Sequence, residues 1–407
     1  MYLLDVPAAH VGLLRLNCCH NLTGITEERS PPVLERIFTM KNWTLVAHAA
    51  ICIAITFCCG SVHAQSNPLP LGKVNQPVKS VTCPNGFDAG TDCYGGTVSC
   101  QGTLDIAFTY GVLNPGGKDG TIVFFTSGDG TTAGFSQYVQ AYTPPTHDFQ
   151  TVQVAWETPW QETGNGTGSS IKTAACRPAT LLNWLLNQKN VYSGGGMCAQ
   201  GASAGSAAIA YSLTEYGAHE YLNHVELESG PVLSDLSVGC DPDSSPITVC
   251  PGNECLTGKK GSWSDSPVYV DGNETSVSTW SGASGVNACA AGNRIGQAQY
   301  SSWKAMSIVD GISGRQADST FAYPKTTISG WLCSKPAGCN SSWCQNNSAA
   351  QGQLFYENVT STKSVYRVDN CQSTEGVEQG TVPELDDESG LQAIIADMVS
   401  QCSAPHR

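Results

Sequence analysis

Residues 197–216 read MCAQGASAGSAAIAYSLTEY, and the order of side chains in that stretch decides the architecture. Its first residues, 197–200, read as a short buried strand, and a helix runs from about residue 204 to Tyr216. Between them Gly201-Ala202-Ser203-Ala204-Gly205 has the G-x-S-x-G form. A serine on so sharp a strand-to-helix turn is crowded by the chain on either side, so only small residues fit two before and two after it. The helix that starts directly behind it offers unpaired backbone N–H groups, which can stabilise a developing oxyanion.

Working outward, strands and helices alternate. Residues 104–111, 121–126 (TIVFFT), 151–156 (TVQVAW) and 224–228 read as strands. Residues 173–187 form a helix with Leu181, Leu182, Leu185 and Leu186 on one face. Further on, helices are expected at 295–308, 351–358 and 391–401, and strands at 326–332 and 364–368. Such alternation predicts an α/β protein with a mostly parallel sheet flanked by helices. Residues 235–292 interrupt it with Gly, Ser, Pro and four cysteines (Cys240, Cys250, Cys255, Cys289), which reads as a disulfide-rich cap insertion. The core is thus expected in two parts, 101–234 and 293–407, behind a Cys-rich segment at 65–100.

Composition narrows the function classes. The 407 residues carry 20 Lys and Arg against 34 Asp and Glu, a formal charge of −14, which disfavours nucleic acid and anionic membrane surfaces as partners. Hydrophobic residues are 41%, enough for a sizeable core, and 19 cysteines are too many for a reducing compartment. Residues 40–64 read MKNWTLVAHAAICIAITFCCGSVHA: one lysine, a short apolar run, then Val62 and Ala64 before Gln65. That layout is a secretory signal cleaved after Ala64, and residues 1–39 then fit a start assigned upstream of the true one. A membrane anchor with a short cytoplasmic tail is the alternative. On either reading the bulk of the chain is exported, to the outside or to a periplasm, and on the first nothing keeps it in the membrane after cleavage. Fourteen cysteines follow residue 64, an even number suited to disulfides. The expected pairings include Cys176–Cys198 and Cys371–Cys402. No CxxC follows residue 64 and histidines are few, so no metal or other cofactor is expected.

With its elbow, the chain resembles the α/β-hydrolase superfamily, secreted serine esterases above all, over roughly residues 104–402. The resemblance implies Ser203 as nucleophile and the N–H groups of Ala204 and Gly130 as an oxyanion hole. Gly130 lies in Ser127-Gly128-Asp129-Gly130-Thr131, where the family keeps its oxyanion loop, although the same residues also suit an ordinary tight turn. Asp129, Trp156 and Trp160 are candidates for substrate contact at the mouth, although structural packing suits the two tryptophans better. The substrate class implied is a small-molecule or carbohydrate-linked ester.

The other two members of a triad are not where the family places them. The loop expected after 364–368 holds no histidine, and that after 326–332 holds no Asp or Glu. Catalytic loops lie at the carboxyl ends of parallel strands. His147, His219 and His224 precede strands, and His406 follows the last helix, so all four are expected at the opposite edge. His219 and His224 stand five apart, about 140° around a helix, so HEYLNH is not the H-E-x-x-H metal motif. At the family's histidine position stand Glu375 and Glu378, weaker bases than an imidazole. Two readings follow: a serine hydrolase with an unusual base, or a non-catalytic descendant of the fold that binds a ligand or partner.

Overall fold

The computed structural model describes residues 68–79, 82–126, 130–162, 171–188, 190–192, 194–235, 248–249, 256–257, 306–309, 321–337, 347–372 and 388–403. The signal sequence, most of the cap, Asp129, Glu375, Glu378 and His406 lie outside them. Among the described residues no helix is long and apolar enough to cross a membrane.

The chain forms β1 (Lys73–Lys79), β2 (Asp92–Ser99), β3 (Ile106–Leu113), β4 (Gly120–Phe125), α1 (Ser136–Tyr142) and β5 (Phe149–Trp156). There follow α2 (Ile171–Ala174), α3 (Cys176–Leu186), β6 (Gly196–Ala202), α4 (Ala204–Tyr216) and β7 (His224–Glu228). A two-residue hairpin, β8 (Thr248–Val249) with β9 (Leu256–Thr257), precedes β10 (Thr327–Ala337), α5 (Asn347–Asn358), β11 (Lys363–Gln372) and α6 (Glu388–Cys402).

Nine strands form one sheet in the order β1-β2-β3-β5-β4-β6-β7-β10-β11. The first four, β1, β2, β3 and β5, pair antiparallel, and from β5 to β11 every pairing is parallel. Parallel strands need crossovers, which put helices on both faces and bury both. In β4 the pleat sends Val123 and Phe125 into one core and Ile122 and Phe124 into the other. The first core holds Leu181, Leu182 and Leu185 of α3, Ile209 and Leu213 of α4 and Phe355 of α5. The second holds Tyr138 and Tyr142 of α1 with Ile394, Ile395 and Met398 of α6. This mostly parallel sheet, with helices on both faces and an elbow at its centre, is an α/β-hydrolase fold. From β4 the chain crosses to β5 on one side, and from β6 to β7 on the other. The crevice where such directions part, at the carboxyl ends of the strands, is where this class of sheet binds ligands.

Three sequence expectations need correction. The 65–100 segment holds β1 and β2, an antiparallel edge of the sheet. Strand β11 runs through Asp369–Gln372 and β10 through Ala337, into segments expected to be loops. The disulfides are Cys83–Cys93, Cys100–Cys176 and Cys198–Cys402. Neither Cys176–Cys198 nor Cys371–Cys402 forms: Cys176 opens α3 facing the end of β2, and the last turn of α6 lies over β6.

Candidate active site

Ser203 sits between β6 and α4 with φ 49° and ψ −111°, a conformation that side chains of L-residues rarely adopt. Its neighbours make that turn possible. A Cβ on Gly201 would lie 2.6 Å from the carbonyl of Gly205, and one on Gly205 would lie 1.9 Å from the carbonyl oxygen of Phe125. Helix α4 therefore begins in direct backbone contact with the end of β4, whose Phe125 also pairs with Gly201. The Ser203 N–H donates to the Glu228 carbonyl at 2.9 Å, its carbonyl accepts from the Ala207 N–H at 3.1 Å and from the Ser206 hydroxyl. Ser203 is half-buried, and Ala204 opens the helix behind it.

Gly130 has φ 72°, and its carbonyl accepts the Trp156 N–H at 2.9 Å. A Cβ there would meet Trp156 at 3.0 Å and Trp160 at 3.4 Å. The structure thus brings Gly130, Trp156 and Trp160 together beside the end of β5. Both indoles are buried, and Trp156 packs at a tilt on Phe108 with centroids 5.9 Å apart. Arg177, fully buried on α3, ties this wall to its neighbours. Its guanidinium donates to the carbonyls of Trp160 (2.7 Å), Leu104 (2.6 Å) and Glu162. Burial lowers its pKa to about 10.

Three histidines are placed. His147 lies between α1 and β5, His219 in the single 3₁₀ turn Ala218–Glu220 after α4, and His224 opens β7 opposite Cys198 and Thr327. All three are at the amino edge of the parallel sheet. His224 and the elbow are four strand residues apart, about 13 Å at 3.3 Å per residue.

The chain also carries an acidic row that sequence reasoning passed over. His224, Glu226 and Glu228 alternate along β7 and share one face, and all three are fully buried. Glu228 accepts from Gln200 Nε2 at 2.6 Å and from the Tyr138 hydroxyl at 3.2 Å. Burial, reinforced by Glu228 and Asp397, raises the pKa of Glu226 well above the carboxylate range. Burial also lowers His224 to about 4, against an opposing pull from Asp397. The signal was there in HVELE: three ionisable residues at period two on a strand that parallel pairing buries.

No protein-family model matches the chain, and no curated protein matches it by sequence. Solved structures do resemble it. Acetyl xylan esterase 1 from Thermoanaerobacterium sp. JW/SL YS485 is 12% identical, over 77% of this chain and 86% of that one, with a TM-score of 0.43. An acetyl xylan esterase from Paenibacillus sp. R4 is 10% identical, over 89% and 96%, with a TM-score of 0.41. Carboxyl esterase 2 of the mycorrhizal fungus Tuber melanosporum is 11% identical, over 90% and 100%, with a TM-score of 0.38. These likenesses are distant, and the fold rests on the strand order and the elbow themselves.

Proposed function

We propose that this chain is an exported serine hydrolase of carboxylic esters, with Ser203 as nucleophile. The observation that supports it most is the backbone of Ser203, held at φ 49° by glycines that tolerate no Cβ. Sparsely populated backbone persists where the surroundings over-determine it, and such positions cluster at active sites. In the reaction, the Ser203 Oγ–carbonyl bond forms as its proton passes to a base, and the oxyanion takes N–H donors from Ala204 and Gly130. The ester C–O bond then breaks, the leaving alkoxide takes the proton, and water hydrolyses the acyl-enzyme. Glu375 or Glu378 is the proposed base. Asp129 would face the substrate, a small-molecule or carbohydrate-linked ester, with the buried Trp156 and Trp160 forming the packed wall behind the Gly130 turn. The three disulfides suit export, since such bonds persist in oxidising compartments.

A second reading is favoured by the histidines at the amino edge: a hydrolase fold that binds a ligand without turnover. An active-site-directed fluorophosphonate separates the two. Under the first, the probe labels the peptide containing Ser203, Ser203→Ala abolishes both labelling and ester turnover, and Glu375→Gln or Glu378→Gln lowers both. An unlabelled, correctly folded protein with no turnover to lose supports the second.

A further inference from the structure

At the amino end of β7, the side chains of His224 and Glu226 meet that of Asp397 from α6. The Nε2 of His224 lies 3.6 Å from Glu226 Oε1 and 3.9 Å from Asp397 Oδ2. The three ligand atoms all fall within 4.8 Å of one another. We propose that His224, Glu226 and Asp397 bind a divalent cation of the zinc class. This site is independent of the reaction proposed for Ser203.

The hydrogen bonds argue for it. His224 Nδ1 is 2.8 Å from the Thr327 hydroxyl. That hydroxyl also lies 3.4 Å from the carbonyl of Asn223 and 3.4 Å from Gln401 Oε1, both acceptors. When it gives its proton to one of them it accepts the Nδ1–H, the tautomer that leaves a lone pair on Nε2 and that metal binding requires. That lone pair faces two carboxylates. Nε2 and both oxygens of Glu226 are buried and, among the described residues, have no hydrogen-bond partner that meets full geometry. The Trp331 indole and the Met398 backbone lie near enough to temper the pKa of Glu226, yet neither reaches its oxygens with bonding geometry. Three electron-pair donors thus converge in a low-dielectric interior with only the Trp331 and Met398 N–H groups nearby, an arrangement that favours the entry of a cation or a proton.

Geometry and outer contacts fit a cation. Imidazole nitrogen and carboxylate oxygen bind zinc at about 2.0–2.2 Å, which puts tetrahedral ligands about 3.4 Å apart. The two separations from Nε2, 3.6 and 3.9 Å, are a few tenths of an ångström wider, and all three atoms lie within 4.8 Å of one another, so side-chain shifts must close the site on the ion. Thr327 orients His224, and the Ser329 hydroxyl donates to Asp397 Oδ2, the outer-shell support that metal ligands commonly have. Asp397 is 15% exposed and marks the route of entry. Three protein ligands leave a fourth position for water. The site joins α6 to β7 and, through Thr327 and Ser329, to β10, away from the elbow.

The competing arrangement is a proton on Glu226 shared with Nε2, which needs no metal. Purified, tag-free protein is stripped with chelator, returned to Zn²⁺, passed through gel filtration and assayed for bound metal. One zinc per chain is expected, with His147→Ala retaining it and Glu226→Gln and Asp397→Asn losing it. Thr327→Val removes only the orienting hydroxyl and should weaken zinc binding by about 10–100-fold; it carries the test if the buried variants fail to fold. Folded wild type that returns without stoichiometric zinc overturns the proposal, as does Thr327→Val or Asp397→Asn binding zinc like wild type.

Discussion

Gly205→Ala puts the elbow to a test of its packing. An added methyl would sit 1.9 Å from the Phe125 carbonyl oxygen, 2.6 Å from its carbon and 2.7 Å from the carbonyl oxygen of Thr126. Non-bonded carbon contacts settle near 3.5–4.0 Å, so more than about 1 Å of movement is required. The obstacle is backbone, and Phe125 is pinned by pairing with Gly201 on one side and Val154 on the other. Overpacking a core ordinarily costs about 1–3 kcal/mol, and an obstacle this rigid places the substitution at or above the top of that range. Urea titration followed by tryptophan fluorescence gives the change in midpoint. Gly102→Ala is the control: it has φ 81° and nothing within 4 Å of the added methyl, so it should lose only the roughly 1–2 kcal/mol of left-handed backbone. Fluorophosphonate labelling at Ser203 should disappear in folded Gly205→Ala and persist in Gly102→Ala. If Gly205→Ala unfolds within about 0.5 kcal/mol of wild type and labels normally, α4 does not meet β4 as described, and the case for an elbow fails.

Two further outcomes are expected. Ser203→Gly should be at least as stable as Ser203→Ala, because relief of about 1–3 kcal/mol of backbone strain offsets the greater freedom of glycine in the unfolded chain; a Ser203→Gly protein about 1 kcal/mol less stable than Ser203→Ala in urea would show that the position is unstrained. Cys198 and Cys402 close 204 residues of sequence, so replacing both with alanine should cost about 2–5 kcal/mol. A non-reducing digest that joins Cys402 to any cysteine but Cys198 contradicts that pairing.

The centre of the sheet was legible because parallel strands are buried on both faces. TIVFFT and TVQVAW are continuous or nearly continuous runs, and the structure places β4 and β5 on them. The strand-to-helix turn at Ser203 was legible because it admits only small neighbours, and the two glycines are where the contacts are closest. The edge was not legible: the described residues of β1 are mostly exposed, those of β2 mostly half-exposed, and Gly95-Gly96 breaks any alternation. The cysteine pairings were read from nearness along the chain, whereas partners are set by which face of the sheet a helix covers. Cys198 looks onto the face covered by α6, and its partner comes from the end of that helix. The acidic row of β7 escaped for the same reason, since the elements that bury it, α1 and α6, arrive from far away in sequence.

Those distant elements matter to the elbow. A strained serine relaxes unless its flanking strands are fixed, and it is held here from beneath as well as from the sides. The Glu228 carbonyl takes the Ser203 N–H, while the Glu228 carboxylate is gripped by Gln200 on the elbow strand and Tyr138 on α1. Helix α6 is fastened to the same two strands, through Cys402 to Cys198 on β6 and through Asp397 beside His224 on β7. A disulfide survives heat and denaturant but yields to reductant. Rigid neighbours are what keep a reactive side chain within the narrow tolerance catalysis needs. The buried polar groups along β7 and the strained turn after β6 are therefore two parts of one construction, in which the covered face of the sheet stabilises a turn that the open edge alone would not hold.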